Sequence, residues 1–402
     1  MRVLIYAHFF APSVGGVETY ARLLADGLTK RSSPDGTNKM EITVVTHTPA
    51  QMNYDAEFPF RAVRQPGWFD LLKLIRDADV VQLAGPSLLP MFLALVLGKP
   101  IVIEQHGYQA ACPNGLLLYE PTKEVCPGHF MARSYSKCLA CNQKSLGWRK
   151  SLGVLLLTFP RRWLCRHVGT NIAITSHVAR RLDLPKTRVV YYGIPDLLPA
   201  DSVHRTKAIP GTPEPIYFAY VGRLVSEKGL PLLLQATRRL LDQGYDFRVI
   251  LVGDGPEREN LEAEAISLRL QKQLIFTGFL SGESLEDTLR NVAAVVMPSI
   301  WEETAGLAAI EQMFRGRPVI VSDIGGLGEV VGSTGLKFPI GDVEALANCM
   351  RQVLNKPSIV SQLGQKARLR ALDCFDLERM LRDHVAIYDQ LCGAQRSGAR
   401  RD

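Results

Sequence analysis

Two glutamates, Glu303 and Glu311, flank the stretch TAGLAAI. Within it, Ala305-Gly306-Leu307 reads as the first turn of a helix running to about Arg315, closed by Gly316 and then Pro318. A helix start leaves N–H groups unpaired, and with the helix dipole it favours an anion such as a diphosphate. Gly306 has no side chain to keep such a ligand at a distance. Glu311 lies roughly 9 Å along the axis from Ala305, a reach suited to a ribose hydroxyl. Glu303 stands on the other side, ahead of the helix, in a place suited to a sugar.

Other residues offer related chemistry. Arg223 and Lys228 are two cations on the loop after an apolar run, spaced to straddle a diphosphate. Gly15-Gly16 opens another helix and gives a second anion-binding start. Gly253-Asp254-Gly255-Pro256 follows a strand, although a lone G-x-G is weak by itself. Cys112, Cys126, Cys138 and Cys141 are four thiols, the last two read as a C-x2-C knuckle. They suit structural zinc, an iron–sulfur cluster, or unrelated thiols that include a disulfide. From Ser145 to Val168 the chain is apolar and basic, with Arg149, Lys150, Arg161, Arg162 and Arg166 and no acid. That segment fits a surface resting on anionic lipid through Leu155, Leu156, Phe159 and Trp163, and equally a packed helix pair with solvated arginines.

The elements that position these groups alternate. Strands are expected at 3–7, 42–46, 79–83, 100–104, 171–175 and 189–192, and again at 216–221, 247–252, 274–279, 292–297 and 318–321, with helices between them. Ser322-Asp323 and Gly325-Gly326 read as a tight loop, and residues 36–40 as a polar turn. Gln105-His106-Gly107 ends a strand, where open α/β sheets gather ligands. Asp77-x-Asp79 stands at the entry of a buried strand and reads as structural. Five prolines between residues 194 and 215 mark a linker.

The 402 residues suffice for about two domains, and 47% hydrophobic with 22% charged residues describe a globular protein. A net charge of +7 suits an anionic nucleotide or anionic lipid and is no nucleic-acid footprint. The N-terminus reads as a first strand rather than a signal peptide. Eight cysteines without a secretion signal point to a reducing compartment, hence to the cytoplasm or the cytoplasmic face of a membrane.

Taken together, Pro298, Ser299, Glu303, Gly306, Leu307, Glu311, Gly316, Pro318, Ser322, Asp323, Gly325, Gly326 and Glu329 resemble the E-x7-E signature of retaining glycosyltransferases of the GT-B fold, family four. The chain departs from it at Ala305, where the family has phenylalanine. Gly222-Arg223-Leu224 with Lys228-Gly229 is similar to the family's G-R-L-x-x-x-K-G element, and Val252 to Pro256 to its V-G-D-G-P turn. The resemblance implies an α/β chain of two Rossmann-like domains facing across a cleft. An acceptor domain at 1–193, with a cysteine insertion at about 110–145, precedes the linker. A nucleotide-sugar domain at 216–376 is followed by a helix at 377–391 crossing back to the N-terminal domain and a disordered basic tail at 392–402. It implies transfer of a sugar from a nucleoside diphosphate to a glycan, lipid-linked or small-molecule acceptor, with no catalytic cofactor. The diphosphate would meet Gly15, Gly16, Arg223, Lys228 and the backbone from Thr304 through Ala305 and Gly306 to Leu307, and Gly253 and Gly255 would line the nucleotide. Phe279 would lie by the base and Glu311 by the ribose, while Glu303 and His106 would face the transferred sugar. An epimerase or hydrolase of the same fold, or a non-catalytic nucleotide-sugar-binding protein, are the other readings.

Overall fold

Short apolar runs, each followed by a helix, generate two sheets in which every strand pair runs parallel. Such sheets need both faces covered, so their central strands are buried along nearly their whole length, while the edge strands stay partly exposed. The computed structural model describes residues 1–13, 15–31, 40–50, 54–196 and 216–398. The chain divides into one unit of Met1–Pro121, Cys126–Pro195 and Phe375–Asp402, and a second of Thr122–Val125 and Asp196–Cys374. Nearly all of the turn expected at 36–40, most of the linker expected at 194–215 and the last four positions of the expected tail lie outside the described residues.

The first part of the chain runs β1 (Arg2–Ala7), α1 (Gly16–Lys30), β2 (Glu41–Thr46), β3 (Arg61–Arg64), α2 (Trp68–Asp77), β4 (Val80–Leu83), α3 (Leu88–Val96) and β5 (Ile101–Gln105). Two short strands, β6 (Leu118–Tyr119) and β7 (Glu124–Val125), precede the long α4 (Tyr135–His167). Then come β8 (Thr170–Ala173), α5 (Ser176–Leu182) and β9 (Thr187–Val189). The sheet order β3-β2-β1-β4-β5-β8-β9 reverses direction at β1/β4, as in doubly wound sheets. The expected strand at 189–192 ends early. After Val189 the chain leaves the sheet, and Tyr192 turns inward to stack on His106 at 5.6 Å. The turn expected around Cys138 and Cys141 is helix instead. No glycine or proline interrupts KCLACNQK, so α4 propagates through it until Gly147, whose φ of 74° breaks the run.

The second sheet begins with β10 (Ile216–Val221), α6 (Leu230–Asp242), β11 (Phe247–Val252), α7 (Arg258–Ser267), β12 (Leu274–Gly278), α8 (Gly282–Leu289) and β13 (Val292–Met297). It continues with α9 (Leu307–Phe314), β14 (Val319–Ser322), α10 (Gly325–Val331), β15 (Leu336–Phe338), α11 (Val343–Asn355) and α12 (Pro357–Cys374). Its order is β12-β11-β10-β13-β14-β15. Side chains such as Phe218, Phe247, Leu233 and Met350 fill the layer between strands and helices. The expected loop at Gly325-Gly326 is the first turn of α10. The last helix, α13 (Leu377–Gly398), belongs to the first unit and packs on α1. It runs past the expected end at 391, because Ala394, Gln395 and Arg396 favour helix over a disordered tail.

Candidate functional site

The C-terminal ends of β10, β11, β13 and β14 bring four loops together in the second unit. The loop after β10 holds Arg223 and Lys228, and Lys228 Nζ lies 2.9 Å from Glu303 Oε1, on the loop after β13. The Ser299 hydroxyl donates to the same carboxylate oxygen. Glu303 is thus buried at 3% exposure with its charge balanced, which is the condition for keeping a carboxylate out of water. Lys228 also stands 5.8 Å from the Trp301 ring centroid. Backbone bonds tie the loops to each other. Ile300 N–H donates to the Glu227 carbonyl at 3.0 Å, Gly326 N–H to the Glu303 carbonyl at 2.6 Å, and Leu224 N–H to the Asp254 carbonyl at 2.9 Å.

Two glycines make this crossing possible. Gly306 caps α9 with φ 83°, and a Cβ there would sit 2.7 Å from Leu327 Cδ1. Gly229 has φ 64°, and a Cβ there would meet the Pro298 carbonyl oxygen at 2.1 Å. The start of α9 leaves the N–H groups of Gly306, Leu307 and Ala308 without intrahelical carbonyls, beside the Lys228–Glu303 pair. Arg223 is exposed, and its guanidinium has no bonded partner among the described residues. Glu311 is half-buried one turn on, and burial pushes its pKa up against the pull of Arg315. Gly253 closes on Gly278 by an N–H···O bond of 2.9 Å, and Asp254 Oδ1 accepts from Gly255 N–H at 2.8 Å. Phe279, just past β12, is 63% exposed. Thr304 and Ala305 lead into the helix start, with Ala305 buried. Behind α9, Arg317 bonds Gln312 at 2.8 Å and Arg315 bonds Glu286 at 2.5 Å, an anchor the sequence reading missed.

The expected residues of the first unit stand differently. Gly15 precedes α1, but a Cβ there would lie 2.3 Å from Glu18 Oε2, so this helix start already has its own carboxylate over it. His106 is not an open side chain. Its Nδ1 pairs with the Tyr192 hydroxyl at 2.8 Å and its Nε2 with Glu104 Oε2 at 3.0 Å. The other oxygen of Glu104 meets His384 Nε2 at 2.7 Å and accepts from the Tyr20 hydroxyl. His384 Nδ1 faces the Met380 carbonyl at 2.8 Å. Burial alone would raise the pKa of Glu104, but hydrogen bonds from His106 and His384 hold it at about 2. The three partners of Glu104, Tyr20, His106 and His384, come from α1, the loop after β5 and α13. None of them except His106 carried a signal in sequence, since lone Tyr, Glu and His residues on apolar elements look like ordinary packing.

Cys112, Cys126, Cys138 and Cys141 are all buried and unbridged. Burial and the neighbouring Cys112, Cys126 and Cys141 push the Cys138 thiol up to about 12. Asn114 occupies part of the space between them: its amide meets Cys141 Sγ at 3.4 Å, and Cys112 Sγ donates to its oxygen at 2.9 Å. Cys126 Sγ lies 3.3 Å from His129 Nδ1. Among the described residues, no group of three or more His, Cys, Asp or Glu side chains is placed as metal ligands. On α4, Leu155 points inward, whereas Leu156, Phe159 and Trp163 are exposed. Arg161 and Arg162 are turned onto backbone carbonyls of Pro86 and Leu182, at 3.2 and 2.8 Å, instead of being solvated. No helix of the described residues is long and apolar enough to cross a membrane.

Comparison with known proteins locates the second unit among its relatives. Residues 204–370 match the family described as "Glycosyl transferases group 1". A 2-deoxystreptamine glucosyltransferase of Streptomyces kanamyceticus is 31% identical over 255 residues, 60% of this chain and 65% of that protein. An alpha-D-kanosaminyltransferase from the same organism is 25% identical over 69% of this chain and 67% of its own length. The chain thus spans about two thirds of the length of these two curated relatives. Among solved structures, Anabaena HepE in complex with UDP superposes with a TM-score of 0.71 at 16% identity, covering 97% of this chain and 100% of that one. The sucrose-phosphate synthase of Thermosynechococcus elongatus does so at 0.72 and 21% identity, covering 98% and 99%. At such identities the likeness speaks for the fold.

Proposed function

Residues 204–370 belong to the group 1 glycosyl transferases and the chain has the GT-B fold, and from that premise we propose that it is a retaining glycosyltransferase taking its sugar from a nucleoside diphosphate. The observation that carries the proposal is the buried Lys228–Glu303 pair beside the start of α9. A lysine ammonium has three N–H donors. One serves Glu303, leaving others for a phosphate oxygen, and Arg223 adds an unengaged guanidinium on the same loop. The leaving diphosphate is then stabilised by two cations and by the N–H groups at Gly306 to Ala308, without a metal ion. Glu303, fixed by Ser299 and Lys228, presents its remaining acceptor capacity to hydroxyls of the sugar. Gly253, Gly255 and Phe279 would lie by the base, and Glu311 by the ribose.

His106 enters this proposal as a group whose orientation is set by Glu104 and Tyr192, with sugar contact requiring one of its two bonds to yield. The acceptor would be a glycan, a lipid-linked or a small polyhydroxylated molecule. A cytoplasmic protein, touching anionic membrane from the surface, fits the basic α4. Structural zinc at Cys112, Cys126, Cys138 and Cys141 is a further part of the proposal. It rests on four buried thiols in one neighbourhood, and it requires them to turn to a common point and shed their protons.

The test is a thermal-shift screen of nucleoside-diphosphate sugars, followed by product analysis with and without added acceptors. Stabilisation by one donor, and nucleoside diphosphate released mainly when an acceptor is present, with the donor's anomeric configuration kept, is the expected result. Equal release without acceptor would favour a hydrolase or epimerase. Binding with no turnover would favour a non-catalytic binder, and no stabilisation by any nucleotide sugar would end all three readings.

A further inference from the structure

The second half of α4 carries an apolar stripe that faces solvent. Leu152, Leu156, Phe159 and Trp163 recur at intervals of four, three and four, so they share one face of the helix. All four are exposed, Leu156 at 57% and Trp163 at 58%. At the Trp163 end the stripe runs into a hollow of about 610 Å³, within the range of small-molecule sites. Its floor is aromatic. Phe130, Tyr135 and Phe159 meet pairwise with centroids 5.0 to 5.7 Å apart. Pro160, also in the lining, lacks an N–H and leaves the Leu156 carbonyl without its helical donor.

The rim of the hollow is cationic. Arg133, Arg162 and Arg166 line it, and no carboxylate does. Arg162 is spent on the carbonyls of Leu182 and Asp183. Arg133 and Arg166 are exposed, and their guanidinium groups have no hydrogen-bond or carboxylate partner among the described residues. Two uncommitted guanidiniums over an aromatic floor suit a phosphate, which guanidinium binds in bidentate fashion. The stripe leading away from them suits a hydrocarbon chain. We propose that this hollow and stripe bind a single phosphate-headed amphiphile, an acyl or prenyl phosphate, with its head at Arg133 and Arg166 and its chain along Leu156 and Leu152. The site stands whether or not a sugar is transferred, because it is built from the first unit alone.

Monomeric dodecyl phosphate, below its micelle concentration, is the probe, read by titration calorimetry on the full chain without donor or acceptor. Saturable binding of one molecule per chain is expected. Dodecyl maltoside and inorganic phosphate should each bind at least tenfold more weakly. Arg133→Ser/Arg166→Ser should lose tenfold or more for dodecyl phosphate while melting like the parent, since both residues are exposed and unpaired. Leu152→Ser/Leu156→Ser should shorten the chain-length preference, read as a lost advantage of dodecyl over hexyl phosphate. Equal affinity for the neutral and phosphorylated dodecyl compounds would overturn the proposal. So would binding to phosphatidylglycerol vesicles with none to the monomer, which would make the stripe a bilayer contact. Concentration-dependent dimerisation abolished by the leucine variant, with no dodecyl phosphate bound, would assign the stripe to a second copy of the chain.

Discussion

Lys228 and Arg223 sit on one loop but differ in what their removal leaves behind. Arg223→Ala removes an exposed cation with no protein partner, so stability should stay within about 0.5 kcal/mol. Its kcat/KM should fall by the equivalent of roughly 2–4 kcal/mol, as for other lost anion donors. Lys228→Ala should show a similar kinetic loss and in addition a lower melting temperature, because Glu303 is left buried without its countercharge. Steady-state kinetics beside thermal melts check both, and normal kcat/KM in the two variants would remove the phosphate clamp. Glu104 makes a pH prediction. Its pKa in the fold is about 2, below the ordinary value of 4.5, so the folded state favours the carboxylate. That stabilisation is complete above about pH 4.5 and is lost as the pH falls towards 2, and it amounts to about 3 kcal/mol. Urea titrations at a series of acid pH values should therefore show a steeper loss of stability in the parent than in Glu104→Gln.

At the scale of the element, α9 depends on its cap. Gly306→Ala puts a Cβ against Leu327 on a backbone of positive φ, and should cost at least about 1 kcal/mol in stability and weaken donor binding through the displaced N–H groups. Chemical denaturation and donor titration of the variant measure the two effects, and an unchanged protein would mean that this turn has slack. In α4, Cys138 and Cys141 lie on a helix, and whether they hold metal together with Cys112 and Cys126 is measurable. With zinc bound, purified protein should carry close to one equivalent, and chelation should lower its melting temperature. Four thiols titrating freely in metal-free, fully active protein would exclude zinc and cluster alike.

For the whole molecule, the expected activity is metal-independent, since in the proposed mechanism two cations and a helix start would balance the charge on the leaving group. Activity should survive EDTA unless the cysteine region itself unfolds. The basic, partly apolar face of α4 should also give salt-sensitive attachment to membranes. Each basic residue near an anionic leaflet is worth about 1 kcal/mol, within a Debye length. Arg161 and Arg162 are engaged with backbone carbonyls, so Arg149, Lys150 and Arg166 are the ones to count. Flotation with anionic liposomes at low salt, lost at high salt, is the expected outcome. Protein that remains at the bottom of the gradient would favour a soluble acceptor.

The alternation of apolar runs and helices, the two-domain scale and the loops bearing Arg223, Lys228, Gly306 and Glu303 were legible in the sequence, because each depends on local periodicity or on residues close together in the chain. The glycines announced where backbones must pass closely, and the N–H groups at α9 followed from helix geometry alone. The pairing of Lys228 with Glu303 required the fold, since a strand order of β10 beside β13 is what brings residues distant in sequence to 2.9 Å. The same is true of Glu104, Tyr20, His106 and His384, which meet only because α13 returns to the first unit and packs on α1. Whether a leucine on α4 faces core or water was likewise decided by packing. The segment is apolar on several faces, and only the neighbours it meets determine that Leu155 is buried while Leu156 is exposed.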